Sequence, residues 1–124
     1  KGKPIVLNFW HTKCIPCIKE MPALDKIKED YGEKVHFLSA TNDNVELANE
    51  FFKTHSFSYT KIIEANALTE LLSVNVYPRL FYIDKNGKIK NSGRGVGFSK
   101  NNDGKMVANL DSHIREEIEK LIKE

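Results

Sequence analysis

Cys14 and Cys17 are the only cysteines in the chain, and they sit as Cys14-Ile15-Pro16-Cys17. One turn of helix brings two thiols at that spacing close enough to form a disulfide or to share a metal ion. The apolar run Ile5-Val6-Leu7-Asn8-Phe9-Trp10 precedes them and a helical pattern follows. The pair therefore falls at a strand-to-helix junction, where the helix N-terminus favours a thiolate. That position makes redox chemistry the leading expectation. A structural staple explains less, because so short a loop removes little entropy from the unfolded chain. A chain of 124 residues can in any case bury roughly two thirds of its unfolded surface without one.

His11 extends the pattern to His-x-x-Cys-x-x-Cys, which raises a metal reading. Zinc would want four ligands in a structural site, or three and a water in a catalytic one. His36, His55 and His113 have no partner at ligand spacing. The expectation is no bound metal, with His11 a polar rim residue that tunes the cysteine pair. A metal-holding module that uses the same thiols is the non-enzymatic alternative.

Lysine plus arginine is 19 and aspartate plus glutamate is 17, a formal charge of +2 with no basic block. Nothing there points to nucleic acid. No apolar run approaches the ~20 residues that span a bilayer. The sequence has no haem-attachment motif and no dinucleotide-binding glycine run, so electrons should arrive through another protein's thiols.

The elements that must position the cysteines follow from periodicity. Ile5–Trp10 reads as a strand buried on both faces, because its apolar residues run on rather than alternate. His11-Thr12-Lys13 is a polar turn. Pro16 suits a first helical turn. Ile18, Met21, Leu24, Ile27 and Tyr31 then recur at helical spacing up to Gly32, with Pro22 expected to kink the helix. Val35–Ala40 is a second strand. Thr41-Asn42-Asp43-Asn44 offers caps for a helix carrying Leu47, Ala48, Phe51, Phe52 and His55. Tyr59–Ala65 is a third strand and Leu68–Leu72 a short helix. Arg79–Ile83 and Lys88–Ser92 form a hairpin about Asp84-Lys85-Asn86-Gly87. Arg94–Asn109, rich in glycine and asparagine, is expected as a loop, with Lys105-Met106-Val107 its one candidate strand. Leu110, Ile114, Ile118, Leu121 and Ile122 mark a last helix, capped by Asp111 or Ser112. Early alternation implies parallel strands, and the hairpin adds an antiparallel edge.

Four segments together resemble the TlpA/ResA-like group of extracytoplasmic thiol-disulfide oxidoreductases, of the thioredoxin fold. They are the opening run Gly2–Trp10, the signature Cys14-Ile15-Pro16-Cys17-Ile18-Lys19-Glu20-Met21-Pro22, the tripeptide Val76-Tyr77-Pro78, and the hairpin Phe81–Ile89. The likeness runs from about Lys1 to Gly97. It implies an α/β, thioredoxin-like fold: a central mixed sheet flanked by helices on both faces. It also implies one such domain over residues 1–124, excised from a longer chain. Four departures stand out. Lys13 replaces a common tryptophan, His11 a small residue, and Tyr77 is bulky for its place. Arg94–Asn109 is longer than the usual link.

The resemblance implies roles for individual residues. Cys14 would attack a substrate disulfide, and Cys17 would resolve the mixed disulfide, leaving a Cys14–Cys17 disulfide and no other cofactor. In many thioredoxins a buried aspartate on the first strand helps Cys17 lose its proton. Asn8 holds that position here and cannot accept a proton as a carboxylate does. Glu20 is the expected replacement, partly desolvated and so able to exchange protons near neutrality. A solvated Glu20 paired with Lys19 or Lys28 is the competing reading. Pro78 is expected to be cis by resemblance alone; the sequence by itself would read as a trans proline opening a strand. Trp10, Pro16, Tyr77 and Pro78 are the expected substrate-binding residues, although Trp10 reads equally as a core residue. The expected function is reduction of protein disulfides, with oxidation or isomerisation as the alternative, since C-x-x-C alone does not set direction. The expected partners are a disulfide-bearing protein substrate and an upstream thiol reductant, a membrane-bound one included. The protein is expected to be monomeric and extracytoplasmic, anchored through a segment outside this chain.

Overall fold

The structure is a computed structural model, and it describes residues 2–94, 98–100, 106–108 and 111–124. The first strand, β1 (Ile5–Phe9), is central to the sheet. It runs parallel to β2 (His36–Ala40), which pairs in parallel with β3 (Thr60–Ile62). On its other side β1 lies antiparallel to β4 (Arg79–Ile83), followed by antiparallel β5 (Ile89–Gly93). The mixed sheet has the order β3-β2-β1-β4-β5.

The continuous apolar run of β1 has its reason in two separate cores. Val6 joins Phe37, Leu80 and Tyr82 beneath helices α1 (Ile15–Tyr31) and α4 (Asp111–Lys123). Leu7 and Phe9 join Ala40 and Phe81 on the opposite face, under α3 (Asn66–Leu71). Helices thus cover both faces, as expected for this fold class. The helix α2 (Val45–Phe52) adds Phe51 to the first core. Tyr31 donates to Glu119 at 2.9 Å and Arg115 to Asp30 at 2.9 Å, tying α1 to α4. No helix among the described residues is long and apolar enough to cross a membrane.

Local chemistry sets the boundaries. Gly32 ends α1 at φ 59, a left-handed conformation that glycine adopts without a Cβ clash. Asn44 caps α2 by accepting from Leu47 N at 2.9 Å. The hairpin turn closes through Asp84 Oδ1, which accepts from the N–H groups of Asn86 and Lys88, each at 2.9 Å.

Several boundaries differ from those expected of the sequence. β1 ends at Phe9, leaving Trp10 outside it, and β2 begins at His36. The third strand keeps only Thr60–Ile62, because the chain turns at Glu64, where φ is 52. The helix α2 stops at Phe52; Leu47 on it is 46% exposed, and His55 lies beyond it, stacked on Phe51. α1 runs through Pro22 as one element. The expected loop after Arg94 carries two strands, β6 (Phe98–Lys100) and β7 (Met106–Ala108), paired antiparallel. Each is three residues long, too short to show a period in sequence. Lys105 and Leu110 lie outside the described residues. Ser112 sits inside α4 rather than capping it.

Glu117 clamps α4 to the sheet, accepting from Asn91 at 3.0 Å and from Lys120 at 3.2 Å. The Asn91 amide first, and then Lys120, hold its carboxyl below the usual glutamate range. A carboxyl lowered by folding contributes stability above its unfolded pKa and loses it as pH falls through the folded value. Glu117→Gln should therefore be less stable than wild type near neutrality, with the difference closing below about pH 4. Urea unfolding across pH measures this.

Candidate functional site

Cys14 and Cys17 form a disulfide with a Cα–Cα distance of 5.2 Å. Cys14 is the N-cap of α1, with extended backbone at φ −90 and ψ 98. Its sulfur accepts from Cys17 N at 3.2 Å, and its carbonyl accepts from Ile18 N at 3.1 Å. Cys14 N in turn donates to the His11 carbonyl at 3.1 Å. Pro16 occupies the first helical turn, where its missing N–H leaves nothing unsatisfied. No acidic residue lies in that turn, so no carboxylate there competes with the sulfur for the positive end of the helix. Cys14 is 6% exposed and Cys17 1%.

Beside the disulfide in the chain, Ile15 is 59% exposed and Pro16 and Lys13 are at the surface, while Val76, two residues before Pro78, is 42% exposed. The Tyr77–Pro78 bond is cis. Tyr77 is half-buried, and Pro78 is buried. Tyr77 packs against the core cluster that holds both cysteines. The edge of its ring meets His11, with centroids 5.0 Å apart and planes at 85°. His11 and Tyr77 thus touch beside the disulfide.

Trp10 differs from its expected place among the substrate-binding residues. It is 1% exposed, packed against Phe51 at 5.1 Å and Phe52 at 5.5 Å, in the cluster that holds both cysteines. It offers no surface to a substrate and forms part of the site's floor.

Beneath α1 lies a set of buried polar groups. Asn8, Glu20 and Ser39 are each 0% exposed. Glu20 is therefore not solvated, and its desolvation is complete rather than partial. Its charge bears on two buried tyrosines. The Tyr59 phenol is pushed up first by burial, then by the charges of Asp25 and Glu20. The Tyr82 phenol is pushed up by burial, then by Glu117 and Glu20. Glu20 lies in the buried stripe of α1, with Cys17, Met21, Leu24 and Ile27. Asn8 faces α1, beside Ser39 in register, and neither atom of its amide has a hydrogen-bond partner among the described residues.

Asp43, expected from the sequence only as a candidate cap, belongs to the site. Its Oδ2 accepts from Thr12 N at 2.8 Å, two residues before Cys14. The partners are 31 residues apart in the chain, so no local pattern signals the contact. Among the described residues, no group of three or more His, Cys, Asp and Glu side chains converges as metal ligands.

Comparisons with known proteins agree with this geometry. The Redoxin family model matches residues 1–112. Thioredoxin-like protein YneN of Bacillus subtilis is 33% identical over 95 residues, covering 73% of this chain and 55% of the relative. Thiol-disulfide oxidoreductase ResA of Bacillus cereus is 37% identical over 92 residues, covering 72% and 53%. The chain thus spans about half the length of these curated relatives. A Chlorobium tepidum structure described as thiol:disulfide interchange protein DsbE superposes with a TM-score of 0.79 at 19% identity, covering 98% of this chain and 81% of that one. At that identity the likeness speaks for the fold. A Bacteroides vulgatus structure described as a thiol-disulfide oxidoreductase gives a TM-score of 0.67 at 32% identity, over 73% of this chain and 67% of that one. Strand order, helix-capping disulfide and matched residues converge: the chain belongs to the redoxin family, within its thioredoxin-fold, ResA-like group.

Proposed function

We propose that this domain is a thiol-disulfide oxidoreductase that reduces disulfides in protein substrates outside the cytoplasm. The observation that carries the reading is the Cys14–Cys17 disulfide at the N-terminus of α1, with the Cys14 sulfur accepting a helix N–H. In the reduced protein the same N–H groups stabilise a Cys14 thiolate. That thiolate attacks one sulfur of the substrate disulfide. A Cys14–substrate disulfide forms, and the other substrate sulfur leaves as a thiolate that takes a proton from water. The Cys17 thiol then gives its proton to Glu20, and its thiolate attacks the Cys14 sulfur. The second substrate sulfur leaves and is protonated. The substrate gains two electrons, and the protein is left with the Cys14–Cys17 disulfide.

Glu20 suits the proton acceptor's part because it follows Cys17 by three residues on one helix and is fully buried. Ile15, Pro16, Val76 and Tyr77 supply an apolar docking rim, and Pro78 supports it from below. The pair is recycled by another protein's thiols, a membrane-bound reductant included, with no further cofactor. A reductant of protein disulfides has substrates where disulfides persist, which favours an extracytoplasmic site. The domain acts as a monomer.

Three measurements test this. The reduction potential of the pair, from equilibration with defined glutathione or dithiothreitol ratios, should fall near thioredoxin's, about −270 mV. A value near about −120 mV would make the protein a disulfide donor and overturn the direction. Cys17→Ser should accumulate a covalent Cys14–substrate adduct on non-reducing gels, and Cys14→Ser should not. Glu20→Gln should slow the resolving step by about 10²-fold near neutrality, the usual size of a positioned proton acceptor's contribution, and remove its pH dependence. An unchanged resolving step would take Glu20 out of the mechanism.

A further inference from the structure

The active-site turn and the loop after β2 meet at one carboxylate. Asp43 Oδ2 accepts from Thr12 N at 2.8 Å and from the Thr41 hydroxyl at 3.0 Å. The Thr41 hydroxyl oxygen accepts in return from Asp43 N at 3.2 Å. The Asp43 carbonyl is held as well, accepting from Glu64 N at 3.0 Å. Glu64 has a left-handed φ of 52, a conformation that a glutamate keeps only where neighbouring bonds require it. Asp43 is thus fixed from three directions.

Asp43 also bears on the opposite side of the rim. The Tyr77 phenol is pushed up first by burial and then by the charge of Asp43. The His11 ring, beside Thr12, meets the Tyr77 ring edge-on. The turn that Asp43 holds is therefore the one that meets Tyr77. The Cys14 sulfur is held from α1, by the Cys17 N–H, while the Cys14 N–H ties its backbone to the His11 carbonyl of the turn. The helix α1 presents the sulfur, and Asp43 holds the turn beside it, which offers a polypeptide more surface than it offers a small disulfide.

We propose that Asp43 is a positioning residue that holds the 11–13 turn against the Tyr77 rim, and so sets the selectivity of the site for protein over small-molecule disulfides. The proposal rests on the thiol-disulfide exchange reading above. It goes beyond that reading by naming a residue outside the C-x-x-C helix and the proline loop.

The test compares second-order exchange rate constants of the full chain with insulin and with glutathione disulfide. Asp43→Ala should lower the insulin constant about tenfold and the glutathione constant less than about twofold, a loss of the size expected for one charge-assisted hydrogen bond. Asp43→Asn keeps a carbonyl oxygen for Thr12 N–H and should return the insulin constant to within about twofold of wild type. If Asp43→Ala does not fold, Thr41→Val removes one of the two donors and should lower the insulin constant alone, by about threefold. Equal losses on both substrates, or no loss on insulin, would overturn the proposal. The variant-to-wild-type ratios are read from the approach to equilibrium in either direction. A mistaken redox direction appears instead as a shifted equilibrium position, so the two failures are distinguishable.

Discussion

The first N–H groups of α1 have no carbonyl one turn earlier to bond, and the site is organised around that fact. Cys14 answers it by placing its sulfur over the Cys17 N–H. The same donors that cap the helix favour the negative charge on which disulfide exchange depends. Capping and reactivity are therefore one interaction. Pro16 strengthens the arrangement, since its fixed φ suits a first helical turn. The absence of acidic residues in that turn leaves the field to the sulfur.

For the helix start to sit still, the strand before it must be rigid. β1 is paired on both edges and covered on both faces, so its C-terminal end cannot shift without disturbing both cores. Trp10 continues that rigidity past the end of the strand, filling the floor between Phe51 and Phe52. Against this background the buried polar set is the exception. Asn8, Glu20 and Ser39 occupy space that aliphatic residues would fill at lower desolvation cost. The proton-handling role proposed for Glu20 would give that cost a purpose.

The rim is built differently. His11 and Tyr77 close one ring edge against the other. A bulky Tyr77 without His11 opposite would leave its flank to solvent. Asp43, from a third segment, holds the turn on which His11 stands. The walls of the site are thus assembled from three loops, while the reactive sulfurs come from one helix.

By itself the sequence determined the elements and the reactive pair. Continuous apolar runs marked β1, β2 and β4, helical spacing marked α1 and α4, and Cys14-Ile15-Pro16-Cys17 marked the chemistry, because strand and helix periods and a one-turn cysteine spacing are local properties. Glu20 was legible too, through its place three residues after Cys17. The tertiary structure decided everything that depends on what lies opposite. It buried Glu20 and Trp10 completely, turned Leu47 outward, paired β6 with β7, and brought Asp43 to Thr12 across 31 residues of chain. Burial and long-range hydrogen bonds are set by packing partners that the local sequence does not name. That is why the cysteine pair could be read from the chain, and the contacts that hold the walls around it could not.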